Sequence, residues 1–135
     1  VLYDLWSLTS VGPLSQLTYI GGDLRVTGAE VLPDLSGLDA LESVGENVEI
    51  GYQWSWGWGE GNAALISLDG LGALTSVGGT LVVENNLVLA DVDALQALES
   101  VGGNLWISAD PSIFTADAQW LADGSPVVGG STRVP

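Results

Sequence analysis

Leu95-Gln96-Ala97-Leu98-Glu99-Ser100-Val101-Gly102-Gly103-Asn104-Leu105-Trp106-Ile107 is the stretch whose reading decides the fold. Aliphatic residues fall on every third position up to Val101, two glycines follow, and Leu105 and Ile107 then alternate with Trp106. On an α-helix each step of three slips roughly 60° around the axis, so such a row would wrap round the helix instead of lining one face. A long strand would alternate with period two throughout. A three-residue spacing fits short 3₁₀ turns or an extended, left-turning coil that keeps one side inward. The glycine pair predicts a tight turn with positive φ that feeds a short strand.

The same phrase recurs upstream. Ile20, Val44, Val77 and Val101 each precede the glycine of the turn, so the period is 24 with one nine-residue insertion. Each repeat has five aliphatic slots at three-residue spacing and two more in the strand. They read Leu8, Val11, Leu14, Leu17, Ile20, Leu24 and Val26 in the first, and Leu89, Val92, Leu95, Leu98, Val101, Leu105 and Ile107 in the fourth. Every slot of all four repeats is Leu, Ile or Val. One coil cannot bury its apolar side alone, whereas stacked coils build a continuous core. The expected fold is therefore a β-rich solenoid of right-handed parallel coils of about 24 residues, with one parallel sheet and a C-terminal cap. It forms a single repeat domain over 1–135, with coils at about 1–26, 27–50, 51–83 and 84–107 and a cap over 108–135. In that cap, Ser112 or Thr115 starts a short helix that Gly124 ends, and the Val127–Pro135 tail supplies one more short strand.

The phrases Leu38-Asp39-Ala40-Leu41-Glu42-Ser43-Val44-Gly45 and Leu95 to Ile107 resemble the leucine-rich-repeat-like coils of receptor L domains, which occur in growth-factor-receptor ectodomains and in bacterial and fungal surface proteins. The resemblance covers roughly residues 1 to 113. It implies a non-catalytic extracellular recognition or structural module. The family's polar slot after the strand holds Asn86 and Asp110 here, against Ala29 and Gln53 in the earlier coils.

Composition removes several functions. The 135 residues include 17 acids, two arginines and no Lys, His, Cys or Met, for a formal charge of −15. Without Cys and His there is no zinc, iron–sulfur or haem ligation, no thiol nucleophile and no Ser–His–Asp triad. The negative field repels nucleic acid and anionic membranes. No apolar run reaches the roughly 18 residues of a membrane span. An acidic coat free of lysine suits an extracellular or cell-surface setting. The start at Val1 instead of Met points to processing from a longer precursor or excision of a domain.

Contact residues come from the departures. The insertion at 51–62 places Tyr52, Trp54, Trp56 and Trp58 in alternation with small or polar residues, an arm suited to stacking on sugar rings or gripping a protein, or to capping the neighbouring coil. The outward strand row reads Arg25, Glu49, Val82, Trp106, with an exposed Trp beside Val as binding surfaces use and an Arg25–Glu49 surface pair. Asp69, Asp93 and Asp117 form a potential acidic row, but no calcium-binding loop accompanies it, so a solvated face is expected and no metal or cofactor is assigned. Val1, Leu2, Leu5 and Trp6 at one end and Trp120 at the other are candidates for end-to-end contact, because an uncapped solenoid exposes core and strand edge. The expected function is a non-catalytic surface protein acting through protein contacts, as adhesin, scaffold or head-to-tail filament subunit. Its partner is another protein or copies of itself; carbohydrate binding through the Trp-rich arm is the alternative.

Overall fold

The third and fourth inward aliphatic residues of each coil donate their backbone N–H groups to the carbonyl of the preceding one in the row. Leu38 donates to Leu35 at 3.1 Å and Leu41 to Leu38 at 2.8 Å, and Leu71, Leu74, Leu95 and Leu98 repeat the pattern. These are i to i+3 bonds of the 3₁₀ type, in which residues three apart eclipse and share one side. The computed structural model describes residues 7–51, 61–108 and 126–134. In two coils the turns close into 3₁₀ helices, Gly12–Leu14 and Asp93–Leu95. The equivalents of Pro13 and Ala94 in the intervening coils are Gly37 and Gly70, at φ of 115° and 106°. There the chain takes a left-handed step that only glycine accepts readily.

Among the described residues, ten strands follow in pairs: β1 Tyr19–Ile20, β2 Leu24–Val26, β3 Ser43–Val44, β4 Val48–Ile50, β5 Ser76–Val77, β6 Leu81–Val83, β7 Ser100–Val101, β8 Leu105–Ile107, β9 Val127–Val128 and β10 Thr132–Arg133. The odd strands make one five-stranded parallel sheet and the even strands a second. A second sheet thus accompanies the expected one, because the residues before each glycine corner are extended too and pair with the neighbouring coil. The register holds across the insertion: Val48 pairs with Leu24 on one side and Leu81 on the other.

The tail continues the repeat. Val128-Gly129-Gly130-Ser131-Thr132-Arg133 lies over Val101-Gly102-Gly103-Asn104-Leu105-Trp106, with strands in both sheets instead of one. The spacing from Val101 to Val128 is 27, three more than the basic period, which sets this coil out of the 24-residue pattern. The helix expected between Ser112 and Gly124 lies outside the described residues.

The glycine turns differ from expectation in their physical reason. Gly21, Gly45, Gly78 and Gly102 do not have positive φ. Instead they stack: a Cβ on Gly45, Gly78, Gly102 or Gly129 would fall within 3.0 Å of the carbonyl oxygen of the glycine one coil before. Close approach of backbone to backbone is the constraint at this corner.

The core is aliphatic. In the second, third and fourth coils all seven slots are 0–1% exposed. The first is looser, with Leu8, Leu17 and Ile20 half-buried and Leu14 exposed. None of the described carboxylates is buried.

Candidate functional site: the outer strand face

Side chains of the even-numbered sheet alternate in and out, as strand geometry requires. The outward row reads Arg25, Glu49, Val82, Trp106, and β10 adds Arg133 opposite Trp106. The four expected residues are therefore brought into one line.

At one end of the row Arg25 sits between two carboxylates. Its Nη2 lies 2.9 Å from Asp23 Oδ2, and its Nε lies 2.8 Å from Glu49 Oε2 on the next strand. Both pairs are only partly solvated, so they exceed a fully exposed pair in strength while remaining modest. The second carboxylate, Asp23, was not singled out from the sequence. Its Oδ1 accepts the backbone N–H of Asn47 at 3.0 Å and the Asn47 side-chain amide at 2.9 Å. These two bonds, aided by Arg25 and opposed by partial burial, hold the Asp23 carboxyl below its ordinary value.

In the middle of the row Val82 is buried, although it faces outward, and it is not part of the interior cluster. It stands between the larger side chains of Glu49 and Trp106. Trp106 is 39% exposed and gives the row its accessible apolar surface. The face thus has a charged end at Arg25 and Glu49, a buried valine in the middle, and the exposed Trp106 beside Arg133.

Three polar ladders support this face, and sequence reasoning missed them. At the corner before the strand, Asp23, Asn47, Thr80 and Asn104 each accept the N–H of the same slot one coil on, at 3.0, 2.9, 3.2 and 2.9 Å. On the opposite side, Ser10, Asp34, Ser67 and Asp91 each accept the N–H two residues on, at 2.9–3.2 Å. Such Asx and Ser/Thr turns bend the chain locally. The third ladder is interior. Asn62 and Asn86 are fully buried, and Asn62 Nδ2 donates to Asn86 Oδ1 at 2.9 Å. Asn62 also donates to Val26 O and accepts from Ala29 N–H. The polar slot of the third coil is thus held by Asn62, not Gln53, because the insertion precedes the slot. A column of small polar residues at matching slots was the available signal.

The odd-numbered sheet has a different outer row: Tyr19, Ser43, Ser76, Ser100, Val127. A shallow groove of about 480 Å³ runs along it. A second depression, of about 570 Å³, lies by Asp39 and Asp69. Asp69 and Asp93 do occupy equivalent slots, and no cluster of three or more metal-ligating side chains occurs among the described residues. Tyr52, Gln53, Trp54, Trp56 and Trp58, the end residues Val1, Leu2, Leu5 and Trp6, and Asp110, Asp117 and Trp120 lie outside the described residues.

The class defined by this fold is the parallel β-solenoid with coils of roughly 24 residues. Among protein-family models, curated proteins and solved structures, none matches the chain.

Proposed function

We propose that the chain is a non-catalytic repeat protein of the cell surface or extracellular space, akin to the leucine-rich-repeat-like coils of receptor L domains, that works through protein–protein contacts. The observation that carries this reading is Trp106, 39% exposed on the outer sheet face between Val82 and Arg133. Exposed aromatic and arginine side chains on a regular face are what contact surfaces enrich. The absence of His, Cys and Lys from the sequence leaves only carboxylates as strong acid–base groups. An acidic coat keeps such a surface soluble until a partner covers it.

A photo-crosslinking amino acid in place of Trp106, with one at Glu99 as control, tests the reading in the native preparation. A saturable protein adduct at position 106 is expected, competed by added wild-type chain and not by Trp106→Ser. No adduct, or equal competition by both chains, refutes it. Binding on a glycan array that a Trp54→Ala/Trp56→Ala/Trp58→Ala variant loses would favour the carbohydrate alternative.

A further inference from the structure

We propose that the side of the solenoid just beyond the even-numbered strands binds a cationic amphipathic helix of another protein. This face lies apart from the Trp106 row and goes beyond the contact proposed there.

In the second, third and fourth coils, a buried leucine is flanked by apolar residues that point outward. Val31 and Pro33 flank Leu32, and Ala64 and Ile66 flank Leu65. Val88 and Ala90 flank Leu89. The coils are in register here: Ile66 donates its N–H to Pro33 O at 2.9 Å, and Ala90 donates to Ile66 O at 3.1 Å. Val31 is 46%, Ile66 53% and Val88 40% exposed, and Leu87 on the neighbouring row is 65% exposed. Half of the exposed large apolar side chains among the described residues thus sit together on three adjacent coils. Rows farther along the coil differ. Ser36, Asp69 and Asp93 make one, and Glu42, Thr75 and Glu99 another, all hydroxyl or carboxylate. An exposed apolar patch with a polar rim marks a contact surface.

Charge and backbone select the occupant. The rim is acidic among the described residues. Glu30 lies in the row of Leu87, and Glu84 precedes that row by one turn of chain. Asp34 and Asp91 follow Pro33 and Ala90, each using Oδ1 to accept the N–H two residues on. Both arginines of the chain stand in the outward row of the even-numbered sheet. A second copy would therefore bring carboxylates to carboxylates, whereas lysine or arginine beside an apolar stripe complements this rim. An extended peptide would find the N–H groups of Ile66 and Ala90 already bonded between coils, and gains no main-chain pairing from them. A helix satisfies its own backbone. Laid along the solenoid axis, it advances about 5.4 Å per turn against about 4.8 Å per coil, so side chains at i, i+4 and i+7 reach three successive coils.

Fluorescence anisotropy on the full chain tests this with a labelled Leu/Lys amphipathic peptide of about 18 residues, long enough to become helical on docking. A Leu/Glu peptide of the same pattern is the control. The Leu/Lys peptide should bind, more weakly as salt rises from about 0.05 M to 0.5 M, and the Leu/Glu peptide should not. Ile66→Ser and Leu87→Ser leave the charge unchanged and should each raise the dissociation constant about tenfold, with melting temperatures unchanged. Trp106→Ser should bind like the wild type. No binding at low salt, equal binding of the Leu/Glu peptide, or undiminished binding by either apolar-face variant overturns the proposal. So does binding that appears only after deletion of residues 52–60, which would make the chain's own insertion the occupant. Should Trp106→Ser abolish binding while Ile66→Ser and Leu87→Ser retain it, the helix sits on the strand face; this inference then fails and the protein-contact reading of Trp106 stands.

Discussion

Replacing Asn62 with alanine tests the buried ladder. The Asn62 side chain accepts from Ala29 N–H at 3.1 Å and donates to Val26 O and to Asn86 Oδ1, both at 2.9 Å. All of this lies in a region where Asn62 and Asn86 are fully buried. Alanine leaves the Ala29 N–H without its partner, whereas Val26 O keeps the N–H of Gly51 at 2.9 Å. The orphaned buried donor costs about 1–3 kcal/mol and each of the two other lost bonds up to about 1 kcal/mol, so the expected loss is about 2–4 kcal/mol. At this chain length each kcal/mol moves the melting temperature by roughly 3–5 °C, so a drop of about 6–20 °C is expected. Asn62→Asp offers a second measurement. Its carboxylate would face Val26 O and Asn86 Oδ1, so its pKa in the folded state rises. That variant should be destabilised at neutral pH and regain stability as acid protonates it, because a protonated carboxyl restores one donor. Thermal melts by circular dichroism, paired with denaturant titration, provide the numbers. Asn62→Ala melting within about 2 °C of wild type would refute the reasoning.

The other predictions concern the register, the insertion and the corner. Leu71→Asp places an unpaired charge in a fully buried slot and should unfold the chain, whereas Glu99→Gln on the outside should change stability by no more than about 0.5 kcal/mol; equal melts would break the register. Deleting residues 52–60 joins Gly51 to Gly61 and restores the period of 24; the shortened chain should melt close to the wild type, and loss of the fold would mean the insertion is part of the core. Asp23 is held below its ordinary value of 3.8, so its contribution is complete above that pH and disappears as pH falls through the folded-state value. The melting difference between wild type and Asp23→Asn should therefore be constant at neutral pH and shrink in acid; a difference independent of pH would remove Asp23 from the account.

The core was legible because its rule is one-dimensional. Leu35, Leu38 and Leu41 state the turn type by their spacing, and Val48 and Ile50 state the strand by theirs. The second sheet was less visible, since Ser43-Val44 and its equivalents are only two residues long and show no full alternation. The fifth coil was obscured because three extra residues displace Val128-Gly129-Gly130 from the period. The glycine corner was read with the right residue and the wrong cause: Gly78 is required by the Gly45 carbonyl one coil away, a contact that local turn rules do not contain. On the outer face, the order Arg25, Glu49, Val82, Trp106 followed from the period alone. The burial of Val82 and the hold of Asn47 on Asp23 did not, because both depend on neighbours 24 or 33 residues distant.

Each strand is joined to its neighbours by bonds that run along the solenoid axis, so tension applied along that axis loads the coils as a zipper, one row at a time. Peeling one ordinary coil frees 24 residues, about 80 Å of extended chain at roughly 3.4 Å each. The coil with the insertion frees 33, about 110 Å. Stretched between a bead and a surface, the protein would lengthen in steps, and one longer step would mark where the insertion lies.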